Sequence, residues 1–137
     1  MKYLMGIDLG STSIKAVIYD AEGTLISSGS VATETAHLDP DNPEHVFWDP
    51  EVIWQSVCAS IRRALEQADG VPRIEAVAVT GWGMDGLPLD AAGKPLYPFI
   101  SWHCTRTEPQ RQAFADKIGL EKLFEITGTQ TMTIHTA

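Results

Sequence analysis

Cysteine is scarce in this chain: two residues among 137, Cys58 and Cys104. Two such thiols, one inside a predicted helix and one in a loop, make no disulfide framework, so a reducing compartment is the simpler reading. Basic charge is scarce as well. Ten lysines and arginines stand against eighteen acids, a net charge of −8, where a nucleic-acid surface would need a basic face. No apolar run approaches the ~18 residues of a membrane span, and no signal peptide precedes Met5, so a cytoplasmic protein is expected. Repeats and low-complexity segments are missing too. What is present is the composition of a folded domain, 44% hydrophobic and 20% charged, at a length that fits one ordinary core.

Three strands open the chain, Tyr3–Asp8, Ile14–Asp20 and Thr24–Val31, joined by turns short enough to make them antiparallel. Residues 32–48 carry Pro40, Pro43, two histidines and several acids, and read as a surface loop. Asp49-Pro50-Glu51 then starts a helix: Asp49 as N-cap, Pro50 at N1, and an acid near the positive end of the dipole. Ile53, Val57, Ile61, Ala64, Leu65 and Ala68 recur at helical spacing as its buried stripe, and Asp69-Gly70 followed by Pro72 ends it. Ile74–Thr80 is apolar enough for a strand covered on both faces. A second hairpin, Gly86–Asp90 with Tyr97–Ile100, spans the turn Ala91-Ala92-Gly93-Lys94. Thr107 with Gln110 makes a capping box for a helix over Glu108–Ile118, which Gly119 breaks, and Glu121–Ile126 is a further short helix. A meander followed by helix and strand gives an α/β domain with a mixed sheet and flanking helices.

The stretch Met5–Val17 carries the first chemistry. An apolar strand runs into Asp8, Gly10-Ser11-Thr12-Ser13 supplies a flexible turn with three hydroxyls, and Lys15 adds a positive charge on the next strand. A carboxylate at a strand end beside a small-residue hairpin suits a metal-bound polyphosphate. Backbone N–H groups and hydroxyls donate to phosphate oxygens, while the carboxylate orders Mg²⁺ through its waters. A Walker A loop needs Gly-Lys-Ser/Thr and a following helix, and neither is here. The bland alternative is a hairpin whose polar turn is only a turn.

Asp8-Leu9-Gly10-Ser11-Thr12-Ser13-Ile14-Lys15 resembles the first phosphate motif of the sugar-kinase, heat-shock-protein and actin superfamily, and within it the FGGY carbohydrate kinases. The resemblance extends over essentially the whole chain. It implies a ribonuclease-H-like fold, ATP and Mg²⁺ as cofactors, Gly10, Ser11, Thr12, Ser13 and Lys15 around the ATP phosphates, and Asp8 holding the metal through water. Members of that family are several times longer and carry a second domain of the same fold. The chain is therefore expected to be a partial N-terminal domain, 1–137, with the second domain absent from it.

Gly81-Trp82-Gly83-Met84-Asp85-Gly86 matches G-x-G-x-x-G after a predicted strand. A dinucleotide fingerprint must open a helix, however, and Leu87-Pro88-Leu89-Asp90 reads as strand and turn instead. The segment fits a sugar pocket: glycine lets backbone approach a ligand, Trp82 offers a face to the C–H side of a sugar, and Asp85 accepts from its hydroxyls. Trp82 as a core aromatic remains open. The segment is similar to the corresponding stretch of the fuculokinase and rhamnulokinase branch, and Tyr97–Thr107 is similar to the Pro-x-Ile-Ser-Trp-x-Cys-x-Arg-Thr run of fuculokinases. The resemblance implies substrate binding by Trp82, Gly83, Met84, Asp85 and Arg106. Arg106 with Thr107 would fix the loop behind the pocket, the alternative being a surface ion pair. Trp48 reads as a core residue anchoring the helix that follows it. His103-Cys104 has no second pair at zinc spacing and is no metal site.

The implied reaction is phosphoryl transfer from MgATP to a sugar hydroxyl, a ketose such as L-fuculose. The general base is expected beyond residue 137, so no catalytic residue lies in this chain, and the chain alone should be inactive. The partners implied are a small-molecule sugar, no nucleic acid and no membrane, with an exposed domain edge favouring a homo-oligomer. Two other classes stand beside this reading: an actin- or chaperone-like ATPase domain, and a non-catalytic binding module.

Overall fold

The computed structural model describes residues 2–70 and 73–133, so Pro72 and the last four residues lie outside it. The elements in order are β1 (Tyr3–Leu9), β2 (Ser13–Asp20), β3 (Leu25–Ala32), β4 (Phe47–Trp48), α1 (Pro50–Gln67), β5 (Ile74–Gly81), β6 (Phe99–Ile100), α2 (Glu108–Ile118) and α3 (Leu120–Thr127). They fall into two units, Met1–Glu34 with Pro50–Gly83, and Thr35–Asp49 with Met84–Ala137.

The first unit is a mixed sheet in the order β3-β2-β1-β5. β1 pairs antiparallel with β2 and β2 with β3, as the short turns require, while α1 is the crossover that makes β5 parallel to β1. Alternation along the strands builds the core. Met5, Ile7, Ile14, Ala16 and Ile18 are buried, and α1 packs over β3 and β2. Its buried residues are Ile53, Val57, Ser60 and Ala64, so small residues stand in the stripe where bulk would be expected. The reason is Gly29 on β3. A Cβ there would lie 2.1 Å from the Ser60 carbonyl oxygen and 2.6 Å from the Ala64 nitrogen, so helix and strand meet backbone to backbone. Ser27 Oγ donates to the Ala64 carbonyl at 2.7 Å and fixes the crossing. The reading of β5 as covered on both faces is corrected. β5 is an edge strand whose residues beyond Ile74 are all exposed, Val77 and Val79 included.

In the second unit the stretch read as a loop contains β4, which pairs antiparallel with β6 in the register Phe47↔Ile100 and Trp48↔Phe99. The second hairpin is correspondingly shorter than expected. Asp90 Oδ1 accepts the Ala92 and Lys94 backbone N–H groups, both at 2.8 Å, and Leu89 bridges Pro95. Phe99 and Ile100 then leave Gly86–Asp90 and pair with β4. α2 has the expected bounds but no capping box, because Thr107 Oγ1 donates to the Thr133 carbonyl instead. Its first turn is held by a bidentate pair, Arg111 to Glu108 at 2.6 and 2.8 Å. The next helix after Gly81–Gly86 is α2, 22 residues past Gly86 by its first residue Glu108, so the dinucleotide fingerprint has no helix to open. No helix among the described residues is long and apolar enough to cross a membrane.

Candidate functional site

In the first unit, strand register brings three side chains into one row. Asp8 on β1 stands opposite Lys15 on β2 and opposite Thr80 on β5. Gly6, Val17 and Ala78 form the row behind it, by the same registers. With Ile7 and Val79 these residues line a shallow cavity of about 250 Å³ on the sheet face away from the core. Asp8 and Lys15 are exposed, and among the described residues they form no ion pair with each other. Both charges are therefore available to a ligand. Thr80 escaped the sequence reading, although the period of two from a parallel neighbour of Asp8 would have found it.

The turn between β1 and β2 is built tightly. The Gly10 N–H donates to the Ser13 carbonyl at 3.2 Å, and a Cβ at position 10 would lie 2.8 Å from that oxygen. Only glycine fits without moving the turn. The other side is pinned from the end of β3: Thr33 N–H donates to the Thr12 carbonyl at 3.0 Å, and Thr33 Oγ1 to the Gly10 carbonyl at 2.7 Å. Thr33 was invisible as a site residue in sequence, because its partner lies 23 positions away. No group of three or more His, Cys, Asp or Glu side chains able to hold a metal occurs among the described residues. A lone exposed carboxylate fits Mg²⁺ held mainly by phosphates and waters, the usual manner of that ion.

The five substrate candidates divide between the units. Trp82 and Gly83 close the first; Met84, Asp85 and Arg106 belong to the second. A Cβ on Gly83 would meet nothing within 4 Å, so the chain's own packing does not demand glycine there. Asp85 is the most constrained. Its Oδ2 accepts the indole N–H of Trp48 at 2.7 Å, and Oδ1, buried, accepts no hydrogen bond of normal geometry. Burial pushes the Asp85 carboxyl above its ordinary range, against the Trp48 bond, the Trp102 backbone N–H and the nearby His103, which all favour the anion. Trp48 is a core residue, as expected: it is fully buried in the β4–β6 ladder and its indole N–H holds Asp85. The ring of His103 tilts against Trp48 at 5.9 Å and lies 3.9 Å from Trp102, centroid to centroid.

Arg106 is not the surface ion pair of the bland alternative. Its guanidinium lies 4.2 Å from the Phe47 ring centroid, Nε donates to Cys104 Sγ at 3.0 Å, and Nη2 is buried without a partner. At Cys104 burial acts to raise the thiol, but the Arg106 and backbone donors outweigh it and leave it lowered. The second unit therefore holds one buried acceptor, Asp85 Oδ1, and one buried donor, Arg106 Nη2, neither in a well-formed hydrogen bond.

Comparison with known proteins bears on both halves. A family model described as "FGGY family of carbohydrate kinases, N-terminal domain" matches residues 3–137. L-fuculokinase of Haemophilus influenzae is 29% identical over 133 residues, covering 94% of this chain and 28% of that protein. Glycerol kinase of Leifsonia xyli is 33% identical over 134 residues, covering 96% and 26%. The crystal structure of Plasmodium falciparum glycerol kinase with ADP superposes with a TM-score of 0.82 at 25% identity, over 100% of this chain and 27% of that one. The chain thus spans about a quarter of the length of the relatives it matches.

Proposed function

The chain belongs to the FGGY family of carbohydrate kinases, and from that premise we propose that it serves an enzyme transferring the ATP γ-phosphoryl group to a sugar hydroxyl. The observation that carries the reading is the Lys15–Asp8–Thr80 row beside the Gly10–Ser13 turn. A cation, a metal-ordering carboxylate and a hydroxyl stand in register next to a turn of small residues, and the fold uses neither charge for itself. When bound, MgATP supplies the phosphoryl group and the metal charge that offsets its negative oxygens. The chain's part is to hold it: Asp8 through metal-bound water, Lys15 by charge, Ser11, Thr12 and Ser13 by hydroxyl and backbone donors. Trp82, Gly83, Met84, Asp85 and Arg106 are assigned to the sugar. Within the second unit, the buried Asp85 Oδ1 and Arg106 Nη2, neither in a well-formed hydrogen bond, support the assignment, since a sugar hydroxyl both donates and accepts.

The substrate class is a polyol or ketose. The residues around Trp82 and Ser101–Thr107 favour a ketose of the L-fuculose kind, while the glycerol kinase identities keep the wider class in view. The general base and the adenine site are assigned to a second domain beyond residue 137, in keeping with the length of the relatives. The test is ATP turnover by the full-length kinase against fuculose, rhamnulose, xylulose, ribulose and glycerol, with 1–137 alone in parallel. Sugar-dependent ADP release by the long protein and none by 1–137 is the expected result. Turnover indifferent to every sugar would return the chain to the actin- and chaperone-like ATPases. Sugar-dependent turnover by 1–137 would place a base within it.

Asp85 makes the reading pH-sensitive, and the sign follows from its raised pKa. Protonated, it cannot accept from a sugar hydroxyl at the protonated oxygen, so kcat/KM for the sugar should fall on the acid side at a higher pH than an ordinary carboxylate would give. A folded-state pKa above the unfolded one adds stability below the unfolded value and loses it as pH rises through the folded one. At pH 7 the carboxylate is therefore a cost to the fold. Asp85→Asn should melt no lower than wild type at pH 7, raise the sugar KM, and lose that acid limb; an unchanged acid limb would remove Asp85 from the sugar site.

A further inference from the structure

We propose that Trp48 is a positioning residue for sugar recognition: its indole N–H claims Oδ2 of Asp85 and fixes which way the carboxyl group faces. The inference rests on the reading of Asp85 as a sugar-binding group. Trp48 has no exposed surface, and its place opposite Phe99 in the β4–β6 ladder fixes where the ring lies. The 2.7 Å bond from Nε1 is short for an indole donor, as bonds to a charged acceptor are. The carboxylate rotates about a broad, roughly two-fold torsion, so its donors set which oxygen faces which way: Trp48 on Oδ2, with the Trp102 backbone N–H also directed at the group. With Trp48 in place one oxygen is committed and the other, buried and accepting no well-formed bond, keeps a defined direction.

The competing explanation is that Asp85 exists to satisfy a buried indole N–H, which needs a partner wherever it is buried. The choice of partner argues otherwise. A neutral acceptor would satisfy the indole without the cost of burying a carboxylate, and the fold bears that cost at Asp85. Trp102 and His103, whose rings lie 3.9 Å apart, flank the pair, with His103 also at 5.9 Å from the Trp48 ring. The donors around Asp85 thus hold a costly buried carboxyl in one orientation.

The test uses the full-length kinase and three variants, reading kcat, the KM for sugar, the KM for ATP and the melting temperature. Trp48→Phe keeps an aromatic ring and deletes the donor. It should raise the sugar KM about tenfold, the scale of one hydrogen bond to a charged group, with the ATP KM unchanged and kcat within about threefold. Trp48→His restores a ring N–H in a smaller, more polar side chain. If packing alone matters, histidine is the worse replacement on every reading; if the donor matters, Trp48→His has the lower sugar KM while melting lower. That reversal is the result expected. A wild-type sugar KM in Trp48→Phe, or a higher one in Trp48→His than in Trp48→Phe, overturns the proposal. Should Trp48→Phe fail to fold, Trp48→His decides alone: a sugar KM near wild type supports the proposal, and one as high as in Asp85→Asn overturns it. Asp85→Asn separates the two layers. An unchanged sugar KM there defeats the reading of Asp85 itself, whereas a raised one with Trp48→Phe unaffected defeats only the role of Trp48.

Discussion

Gly29→Ala is expected to destabilise the first unit by about 3 kcal/mol or more, enough to remove much of the 5–15 kcal/mol that holds a domain of ordinary stability. The added Cβ has nowhere to go. It would meet the Ser60 carbonyl oxygen at 2.1 Å and the Ala64 nitrogen at 2.6 Å, both of them backbone atoms of α1. A flexible side chain could turn aside; a helix must lift from the sheet. Lifting α1 opens the core that Ile53 and Val57 fill over β2 and β3 and breaks the Ser27 bond to the Ala64 carbonyl. Urea or thermal unfolding of the full-length protein measures the loss. Gly83→Ala is the internal control, because a Cβ there meets nothing within 4 Å, and its melting temperature should stay at the wild-type value. Equal melting of Gly29→Ala and wild type would mean that α1 does not cross β3 where the structure puts it.

The sequence made local and periodic features legible and left long-range ones hidden. β1, β2, β3, α1 and β5 each carry their own signal, an apolar alternation or stripe closed by turn chemistry, and their observed bounds lie within about two residues of the expected ones. Thr107 with Gln110 points to α2, though for a partly wrong reason, since the Thr107 hydroxyl serves Thr133 rather than the helix start. β4 and β6 were missed as a pair because two residues each are too short for any period, and their pairing spans some fifty positions. The exposure of β5 could not be read either: the same apolar run describes a covered strand and an uncovered edge. At the site the pattern repeats. Asp8, Lys15 and the Gly10–Ser13 turn are contiguous and were legible; Thr33, Thr80 and Trp48 act on partners 23, 72 and 37 residues away, by the numbers of Thr33–Gly10, Thr80–Asp8 and Trp48–Asp85. Only Thr80 was recoverable by strand parity, and nothing in the Trp48-Asp49-Pro50 triplet reveals which acceptor the indole meets.

Asp8→Asn in the full-length kinase is expected to cut kcat by about 10²–10³-fold while leaving the melting temperature unchanged, the loss usual when one preorganised electrostatic contact to the transition state is removed. The two halves of that expectation come from the same geometry. Asp8 is exposed at the end of β1, and it makes no ion pair with Lys15 opposite it, so the fold does not depend on its charge. Asparagine has nearly the same shape and keeps the strand pairing with Lys15 and Thr80 on either side. What it lacks is the negative charge that orders a divalent metal and its waters beside the phosphates. The affected constants should therefore be kcat and the Mg²⁺ requirement, with the sugar KM close to wild type. Asp85→Asn should show the opposite division, a raised sugar KM with the Mg²⁺ requirement untouched. Raising Mg²⁺ should recover part of the Asp8→Asn turnover and none of the Asp85→Asn defect. Wild-type turnover in Asp8→Asn at ordinary Mg²⁺ would sink the assignment of the β1–β2 hairpin to phosphate, and with it the role of the Lys15–Asp8–Thr80 row.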